Sequence, residues 1–393
     1  MRTSKNRFTR PVTRAEIDLR AVKHNLGELK RLTAPSAAIM AVVKADAYGH
    51  GAVEVAKTLV EQGVAYLAVA RFSEAMVLRH ANLAVPILLF GHTYPEYLSH
   101  MLRHDIRPSI NTVDSARKLS EVAGGRRKKV PVHVKIDTGM GRLGVLCDGL
   151  ALPDTDKSSR KRAVQAVLEI ASLPRLEIEG IYTHFANADH PDTSQTDLQF
   201  SLFMDILSEL RKNGLEPRFR HAANSAALIR MPETHLEMVR PGIALYGLSP
   251  SAVISKAQID LKPVMSIKTS IIQTKTVPSG FKVSYGGTHQ TERPTTLATV
   301  PIGYADAYSR RLSSKGYMLV RGQRAPIVGR VCMDLTVLDV GHIPDVAPED
   351  EVVVLGRQGN NEITADEIAE LIQTIHYEII STITARVPRI FVR

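Results

Sequence analysis

The stretch "AAIMAVVKADAYGHG" occupies residues 37–51, and it takes a short apolar run directly into Lys44. An apolar run of this length that ends at a glycine-punctuated turn predicts a buried strand. Lysine is rarely buried without a partner, so a lysine at the end of such a strand needs a counter-charge or a chemical task. The neighbouring Asp46 could neutralise it, or the amine could form a Schiff base with a carbonyl compound.

Further apolar runs of this kind occur through residues 1–260, where they alternate with longer amphipathic segments. This alternation is typical of βαβ units and a parallel sheet. Strands are expected near residues 38–44, 65–70, 86–90, 107–111, 131–137, 178–184, 219–224 and 238–243. Eight such units favour a closed (β/α)₈ barrel. An open doubly wound sheet is the alternative, but no GxGxxG motif follows an early strand.

Polar residues gather where these apolar runs end. They are Lys44, Arg71, Asn111, Lys135, Asp137, His184, Asn224, Ser225 and Arg240. In a (β/α)₈ barrel the carboxyl ends of all strands converge on one face, which is where active sites lie. The sequence therefore predicts a polar site at that face.

From residue 261 the pattern changes to β-rich stretches punctuated by glycine and proline, such as "SIKTSIIQTKTV" at 266–277. No helix-length segment separates them, which predicts a mainly antiparallel β domain over 261–393. One late helix is expected in "TADEIAELIQTIH", with Thr364 as its N-cap. The predicted fold is thus a barrel over 1–260 followed by a β domain.

Composition is that of an ordinary globular protein, with 44% hydrophobic and 23% charged residues. No apolar run approaches the roughly 20 residues that span a bilayer, and the basic N-terminus lacks the apolar core of an export signal. Only two cysteines occur, Cys147 and Cys332, with no metal-ligand spacing around them. We therefore expect a cytoplasmic protein without a structural metal or disulfide framework.

The formal net charge is +10, and two basic runs stand out at residues 124–129 and 157–162. A nucleic-acid surface is one interpretation of such runs. No aromatic residues are interleaved with the charges and no nucleic-acid motif accompanies them, so solvated loops are the favoured interpretation. We expect neither a nucleic-acid nor a membrane partner.

The region of the seventh and eighth predicted strands indicates what Lys44 meets. Ser225 lies at the start of a helical segment in "HAANSAA", and Gly242 and Ile243 follow Arg240 in "RPGIALYG". Backbone N–H groups beside a glycine, with a hydroxyl at a helix start, form an anion site. Phosphate sites of these barrels often follow strands seven and eight. A lysine facing a phosphate site suggests pyridoxal 5′-phosphate (PLP) as cofactor.

The sequence here resembles a known family, the alanine racemases, whose PLP-lysine motif is similar to "AVVKADAYGHG". The resemblance continues in order through "KIDTGMGRLG", "YTHFANAD", "HAANSAA", "MVRPGIALYG", "VSYGGTH", "PIGYADAY", "GRVCMD" and "TARVPRIF". It covers nearly the whole chain. It implies a PLP-dependent amino-acid racemase with a barrel and a β domain, working as a homodimer in which each β domain completes the partner's active site.

Carried over to this chain, the resemblance assigns Lys44 as the PLP lysine and one catalytic base, and Tyr285, entering from the partner subunit, as the other. Arg240 would bond the pyridine nitrogen, and His184 would lie between Arg240 and Tyr285. The remaining cofactor-binding residues would be Tyr48, Asn224, Ser225, Gly242 and Ile243.

The resemblance also implies residues for the substrate. Arg142 and the Met333 backbone would address its carboxylate, and Tyr304 and Asp334 would lie near the entrance and the rim. Lys135 resembles a position that many members carbamylate, where it braces the arginine. The alternative is an ordinary lysine paired with Asp137.

The residue types suit racemisation, in which the α-proton leaves one face of the substrate and returns on the other. Lysine and tyrosine have similar unperturbed pKa values near ~10, so both need lowering. Cationic Arg240 and the His184 imidazole would favour a tyrosinate at Tyr285. Arginine does not readily give up a proton, so Arg240 would leave the pyridine nitrogen unprotonated and limit transamination.

One departure concerns the C-terminal tail, where the family usually has a tyrosine immediately before the arginine of "RVPR". Here that residue is Ala385. The missing ring removes a phosphate contact and predicts an enlarged pocket that accepts larger substrates, lysine among them, unless a neighbour such as Thr384 refills the space.

Three other function classes share single features with this sequence. A basic-amino-acid decarboxylase shares a related fold, but that class places a partner cysteine loop where this chain has Tyr285. A PLP-carrier protein is typically a lone barrel, which the β domain argues against. Nucleic-acid binding is the remaining class, and salt-dependent binding would reveal it.

Overall fold

The computed structural model describes residues 11–124, 128–147, 157–255 and 257–393. The chain forms two compact units. One comprises residues 21–48 and 52–262, and the other comprises the described residues up to Arg20, residues 49–51 and residues 263–393. The start of the basic N-terminus and residues 125–127 of the first basic run lie outside the described residues.

The first ten strands alternate with eight helices, in the βαβ order that the sequence predicts. The strands are β1 (Arg14–Asp18), β2 (Ala38–Val42), β3 (Tyr66–Val69), β4 (Ile87–Leu89), β5 (Ile106–Ile110), β6 (Val130–Asp137), β7 (Val145–Leu146), β8 (Leu176–Tyr182), β9 (Phe219–His221) and β10 (Met238–Val239). The helices are α1 (Leu19–Leu32), α2 (Ala52–Glu61), α3 (Phe72–His80), α4 (Pro95–Arg103), α5 (Val113–Val122), α6 (Lys157–Ser172), α7 (Ser194–Lys212) and α8 (Ser225–Arg230).

Eight of these strands form one parallel sheet in the order β10-β2-β3-β4-β5-β6-β8-β9, and the short β7 pairs with β6. The two ends of the sheet meet, because the Glu237 N–H donates to the Arg220 carbonyl (3.2 Å) and the Arg240 N–H donates to the Ala223 carbonyl (2.9 Å). The predicted eight-stranded barrel is therefore confirmed.

Strand β6 shows how the barrel places polar residues inside. Its even-numbered residues Val132, Val134 and Ile136 are fully buried and apolar, whereas His133, Lys135 and Asp137 alternate with them and are also buried. Successive side chains of a strand point to opposite faces, so these three polar residues share one face.

The second unit carries the rest of the secondary structure. Its strands are β11 (Met265–Ser270), β12 (Gln273–Val277), β13 (Lys282–Val283), β14 (His289–Gln290), β15 (Thr295–Val300), β16 (Tyr317–Val320), β17 (Gln323–Pro326), β18 (Thr336–Asp339), β19 (Glu351–Gln358), β20 (Asn361–Ile363) and β21 (Arg389–Val392). Its helices are α9 (Ala365–Ile372) and α10 (His376–Ser381), and the Thr364 hydroxyl caps α9 by accepting the Glu367 N–H as predicted. Short 3₁₀ turns along the chain span Pro232–Thr234, Ile243–Tyr246, Tyr285–Gly287, Tyr304–Asp306 and Arg310–Leu312.

Three sheets build this unit. The largest has the order β17-β16-β19-β11-β1-β21, with β20 beside β19, and two smaller sheets hold β12-β15-β18 and β13-β14. Every pairing is antiparallel except that of β1 with β21. The predicted, mainly antiparallel β domain is confirmed.

The N-terminal strand departs from the predicted domain boundary, which assigned all of residues 1–260 to the barrel. In the structure, described residues up to Arg20 group with the second unit. The reason is pairing: β1 lies between β11 and β21, with Ile17 opposite both Met265 and Phe391. Ile17 is fully buried. A strand that is central to a sheet obtains hydrogen-bond partners on both edges.

Two further observations bear on the predicted class. Neither Cys147 nor Cys332 is part of a disulfide. Across the described ranges, no helix is long and apolar enough to cross a membrane.

Candidate active site

Lys44 follows the end of β2 and opens a turn with a rare backbone conformation. Ala45, Asp46, Ala47 and Tyr48 all have left-handed φ angles, between 51° and 54°. Each L-residue in this conformation costs roughly 1–2 kcal/mol, so four in succession need strong support from their surroundings. The sequence predicted a turn here, but not four consecutive left-handed residues without a glycine.

Two carboxylates hold this turn. Glu74 on α3 accepts the Ala45 N–H at 2.6 Å through one oxygen, and the N–H groups of Ala70 and Arg71 at 2.8 and 2.9 Å through the other. Asp46 accepts the Ala52 N–H at 2.7 Å. The turn after β2 is thereby tied to the end of β3 and to the starts of two helices, which fixes the point from which Lys44 projects.

Hydroxyl and backbone N–H groups gather at the start of the 3₁₀ turn Ile243–Tyr246. The Ser225 hydroxyl accepts the N–H groups of Gly242 (2.8 Å) and Ala244 (3.4 Å). A Cβ on Gly242 would lie 2.5 Å from the Tyr48 hydroxyl, so only glycine fits beside that ring. Such a set of donors is suited to a phosphate group.

The neighbouring elements hold these groups in place. The Tyr48 ring packs on Tyr246 with the ring centroids 4.8 Å apart. Asn224 caps α8 by accepting the Ala227 N–H at 3.0 Å, which places Ser225 at the first position of the helix. Asn224 thus positions Ser225, a residue of the phosphate-binding set, through the backbone.

Four cations converge near this phosphate-binding set of groups. Together they form what we call the cationic cluster: Lys44, Lys135, Arg142 and Arg240. Burial, and then the charge of Arg142, lower the pKa of Lys44, while Glu74 opposes the shift. Burial and the other cations lower the pKa of Lys135 to about 8. Burial lowers the pKa of Arg240 to about 10. Burial, and then the charges of the four cations, hold the pKa of His184 well below its ordinary value.

The cluster has little negative charge of its own. Asp137, whose charge acts on Lys135, accepts four backbone N–H groups of residues 139–142 at 2.8–3.1 Å, so it organises the loop that carries Arg142. Within the described part of the chain, no ion pair joins a carboxylate to Lys44, Lys135 or Arg240. Excess positive charge beside a phosphate-binding set fits an anionic cofactor such as PLP, with Lys44 as the residue able to hold its aldehyde covalently.

Arg240 is almost fully buried, and its hydrogen bonds fix its orientation. One terminal nitrogen donates to His221 Nδ1 at 3.0 Å. The other donates to the carbonyls of Thr183 and Ala222, both at 2.8 Å, and lies 3.4 Å from His184 Nδ1. The guanidinium therefore has a single orientation between β8 and β10.

The second unit holds the predicted residues that lie beyond the barrel. Tyr285 is 71% exposed, on the turn between β13 and β14. Tyr304 and Met333 are also largely exposed and lie side by side, because the Tyr304 N–H donates to the Cys332 carbonyl at 3.0 Å.

Ala385 lies on an exposed turn of the same unit. The preceding Thr384 donates its hydroxyl to the Ala305 carbonyl at 3.0 Å. The following Arg386 pairs with Asp334 at 2.7 Å and lies 3.6 Å from Asp306. The predicted rim carboxylate is therefore already bound to an arginine.

The barrel unit thus brings together Lys44, Lys135, Arg142, His184 and Arg240, as the convergence of strand ends predicts. Sequence reasoning missed Glu74, Tyr182, and the histidines His133 and His221. Of these residues, only His133 could have been placed in the site from the sequence, because it alternates with Lys135 and Asp137 on one strand. The described residues contain no group of histidine, cysteine and acidic side chains placed to hold a metal ion.

Comparison with known proteins identifies the family of this chain. Residues 17–250 match the family model "Alanine racemase, N-terminal domain", and residues 264–391 match "Alanine racemase, C-terminal domain". The chain belongs to the alanine racemase family. The second match separates it from barrel-only carrier proteins, and nothing in these matches supports the decarboxylase alternative.

The relatives are similar over their whole length. Alanine racemase of Desulfosudis oleivorans is 49% identical, with 96% of each chain covered, and that of Methanococcus maripaludis is 44% identical, with 96% of this chain and 98% of the relative covered. The crystal structure of the Bacillus anthracis alanine racemase with bound L-Ala-P superposes with a TM-score of 0.89 at 39% identity, covering 98% of this chain and 96% of that one. The family is PLP-dependent, so this chain is a PLP-dependent racemase, an isomerase.

The contacts of Glu74 lead to a testable prediction about Lys44. Glu74→Gln removes the negative charge that opposes the lowering of the Lys44 pKa, so that pKa should fall further. The measurement is the pH dependence of acetic anhydride labelling of Lys44 in the PLP-free protein, followed by mass spectrometry. If Glu74→Gln only loosened the turn, water would reach Lys44 and the pKa of Lys44 would rise instead. Thr112→Ala is the matched control, because it removes the α5 cap, at a cost of about 1 kcal/mol, without touching this turn.

Proposed function

We propose that this chain interconverts L- and D-alanine, with Lys44 and Tyr285 as the two acid–base groups. The cationic cluster around Lys44 carries the proposal. An amino-acid carboxylate and a cofactor phosphate are both anions, and together they match the excess positive charge of the barrel site. Racemisation moves a proton from one face of the α-carbon to the other, which two groups on opposite faces accomplish directly.

Lys44 is proposed to act on one face. When bound, PLP withdraws electrons from the substrate's α-carbon and so makes its proton acidic. Burial and the nearby Arg142 lower the pKa of Lys44, which increases the fraction of neutral amine able to accept that proton. The left-handed turn fixes the root of the side chain, so the Nζ atom has a defined reach.

Tyr285 is proposed to act on the other face from the second subunit of a homodimer. Its side chain is 71% exposed in the single chain, which leaves its hydroxyl free to enter another molecule's site. The turn that presents it is anchored, because the Ser284 hydroxyl donates to the Arg330 carbonyl at 2.7 Å. A cytoplasmic location remains our expectation for this enzyme.

Mixed dimers test the shared site. Chains carrying Lys44→Ala and chains carrying Tyr285→Phe should each be inactive alone. A dimer with one chain of each kind has one site with both changes and one site with neither, so mixing should restore up to about half the activity of an unaltered dimer. Refolding a mixture of differently tagged chains and assaying the purified heterodimer measures this. Activity that stays absent in the heterodimer would place both groups in one chain.

The substrate carboxylate is assigned to Arg142 and the Met333 backbone. Arg142 is exposed, at the end of the loop that Asp137 fixes through four backbone N–H groups. A guanidinium offers paired donors whose geometry matches a carboxylate. Tyr304 and Asp334 remain assigned to the entrance and the rim.

Lys135 is proposed to carry a carbamate. Carbon dioxide reacts only with the neutral amine, and a pKa of about 8 makes a substantial fraction of Lys135 neutral near pH 7 to 8. The resulting anion would lie among cations and could accept hydrogen bonds from Arg142. The alternative partner, Asp137, already accepts four backbone N–H groups.

Intact-protein mass spectrometry under bicarbonate should therefore show a CO₂ adduct that is lost in acid. Lys135→Gln should lack the adduct, whereas Lys157→Gln, a change in α6, should keep it. A free amine at Lys135 in protein kept under bicarbonate would assign the lysine an ordinary structural role.

The size of the substrate pocket is set, in our proposal, around Ala385. The missing tyrosine predicted room for longer side chains, including lysine. The structure weakens the lysine case, because Asp334, the carboxylate proposed to meet its ammonium, is paired with Arg386 at 2.7 Å. Alanine needs no such partner, and the relatives compared above are all named alanine racemases.

We accordingly expect the unaltered protein to prefer alanine, measured as kcat/KM across a panel of L-amino acids with chiral detection. Arg386→Ala should free Asp334 and raise lysine turnover relative to alanine. Ala385→Tyr should reduce turnover of any longer substrate. Arg393→Ala serves as a charge-matched control. A native preference for lysine would revive the enlarged-pocket hypothesis and contradict the assignment to alanine.

A further inference from the structure

A series of polar side chains in contact with one another runs from Arg240 through the barrel interior. The proposed acid–base chemistry does not use these side chains. Arg240 donates to His221 Nδ1 at 3.0 Å, and His221 Nε2 lies 2.8 Å from His133 Nδ1. His133 Nε2 lies 3.5 Å from a carboxylate oxygen of Glu179. All four residues belong to the barrel unit.

The arginine at one end and the carboxylate at the other set the direction of the hydrogen bonds along this series of side chains. A guanidinium has only donors, so His221 Nδ1 must accept. A neutral His221 then carries its proton on Nε2 and donates it to His133 Nδ1. His133 in turn carries its proton on Nε2, where the Glu179 carboxylate is the acceptor that faces it. The opposite tautomers would set a histidine N–H against the guanidinium at one end and leave the carboxylate without a donor at the other.

Burial supports this protonation pattern. His133 and His221 are fully buried, and burial lowers the pKa of both, His221 well below its ordinary value, so both are neutral near pH 7. Burial alone would raise the pKa of Glu179. The polar contacts with His133 and Tyr66, and the charge of Arg107, instead bring it to about 2, which keeps the carboxylate ionised.

Packing holds the rings of this series in line. The His221 ring stacks on Tyr182 with the centroids 4.8 Å apart and an interplanar angle of 7°. Gly180, beside Glu179, leaves space for the second histidine, since a Cβ there would lie 2.4 Å from His133 Nδ1. His133 Nε2 has no geometrically strict hydrogen-bond partner among the described side chains, and the Glu179 oxygen at 3.5 Å is the anion it meets.

We propose that Glu179 is a positioning residue that acts through His133 and His221 to keep Arg240 a donor in one orientation. The inference rests on the proposed function and on the role that the family resemblance implies for Arg240, a bond to the pyridine nitrogen of the cofactor. The carboxylate fixes the proton positions of the two histidines, and the histidines present an acceptor to the buried guanidinium. Arg240 is thereby prevented from turning away or giving up its proton to the ring nitrogen.

The first test reads proton positions in the unaltered protein, with and without PLP. Long-range ¹H–¹⁵N spectra of the histidine side chains distinguish the two neutral tautomers. Both His133 and His221 should carry the proton on Nε2 in both samples. A proton on Nδ1 of His221 would overturn the proposal without any variant being made. Because no substrate is present, this result is independent of the racemase assignment.

The second test changes the remote carboxylate. Glu179→Gln places an amide, which can donate as well as accept, beside His133, so it should admit the Nδ1–H tautomer at one or both histidines. Transamination per racemisation should rise by about ten- to hundredfold, the range expected for the loss of a hydrogen bond to a charged group. Tyr66→Phe is the matched control, because it removes a neighbouring hydrogen bond to Glu179 but keeps the charge.

The variants also separate positioning from simple stability. Glu179→Asp should largely restore both the tautomers and the partition ratio, since the charge remains. If Glu179→Gln leaves tautomers and partition unchanged, or if Tyr66→Phe alters them equally, Glu179 has only a structural role. If Glu179→Gln does not fold, the tautomers of the unaltered protein still decide the question, since a proton on Nδ1 of His221 overturns the proposal.

Discussion

The barrel site depends on the confinement of several like charges away from water. Burial, and then the charge of Arg142, lower the pKa values of Lys44 and Lys135, and Arg240 adds to the effect on Lys135. The described structure supplies no carboxylate paired with Lys44, Lys135 or Arg240. Such an arrangement is unfavourable in the absence of anions, so it selects ligands that bring negative charge. An anionic cofactor and an amino-acid carboxylate follow from this constraint, and so does the use of a lysine as a base, because repulsion and burial both favour its neutral form.

The backbone of the turn after Lys44 is conformationally strained, which is a second free-energy cost at this site. Four consecutive left-handed residues follow Lys44, and strain of this kind persists only where the surroundings over-determine it. Glu74 and Asp46 supply that restraint through four hydrogen bonds to backbone N–H groups. On the other side of the site, Arg240 is held by two carbonyls and by the relay of histidines. Both groups proposed to contact the cofactor are thus fixed by residues that touch no ligand themselves.

Much of this was accessible from sequence. The eight strands and the change to a β domain follow from apolar periodicity, and the clustering of Lys44, Lys135, His184 and Arg240 follows from the rule that strand ends meet at one face. The strand at residues 14–18 was missed because its partners, β11 and β21, lie far along the chain. Glu74 and Glu179 were missed for a similar reason: a glutamate on a helix or a strand gives no local signal of which distant backbone or ring it meets.

The central claim is that the strand-end lysine at residue 44 holds the cofactor within the cationic cluster. The most direct measurement is borohydride reduction of the PLP-loaded protein, followed by digestion and mass mapping of the pyridoxyl group. The account predicts a single label on Lys44, with Lys135, the other lysine of the cluster, unlabelled. A label on Lys135 or on any other lysine would contradict it.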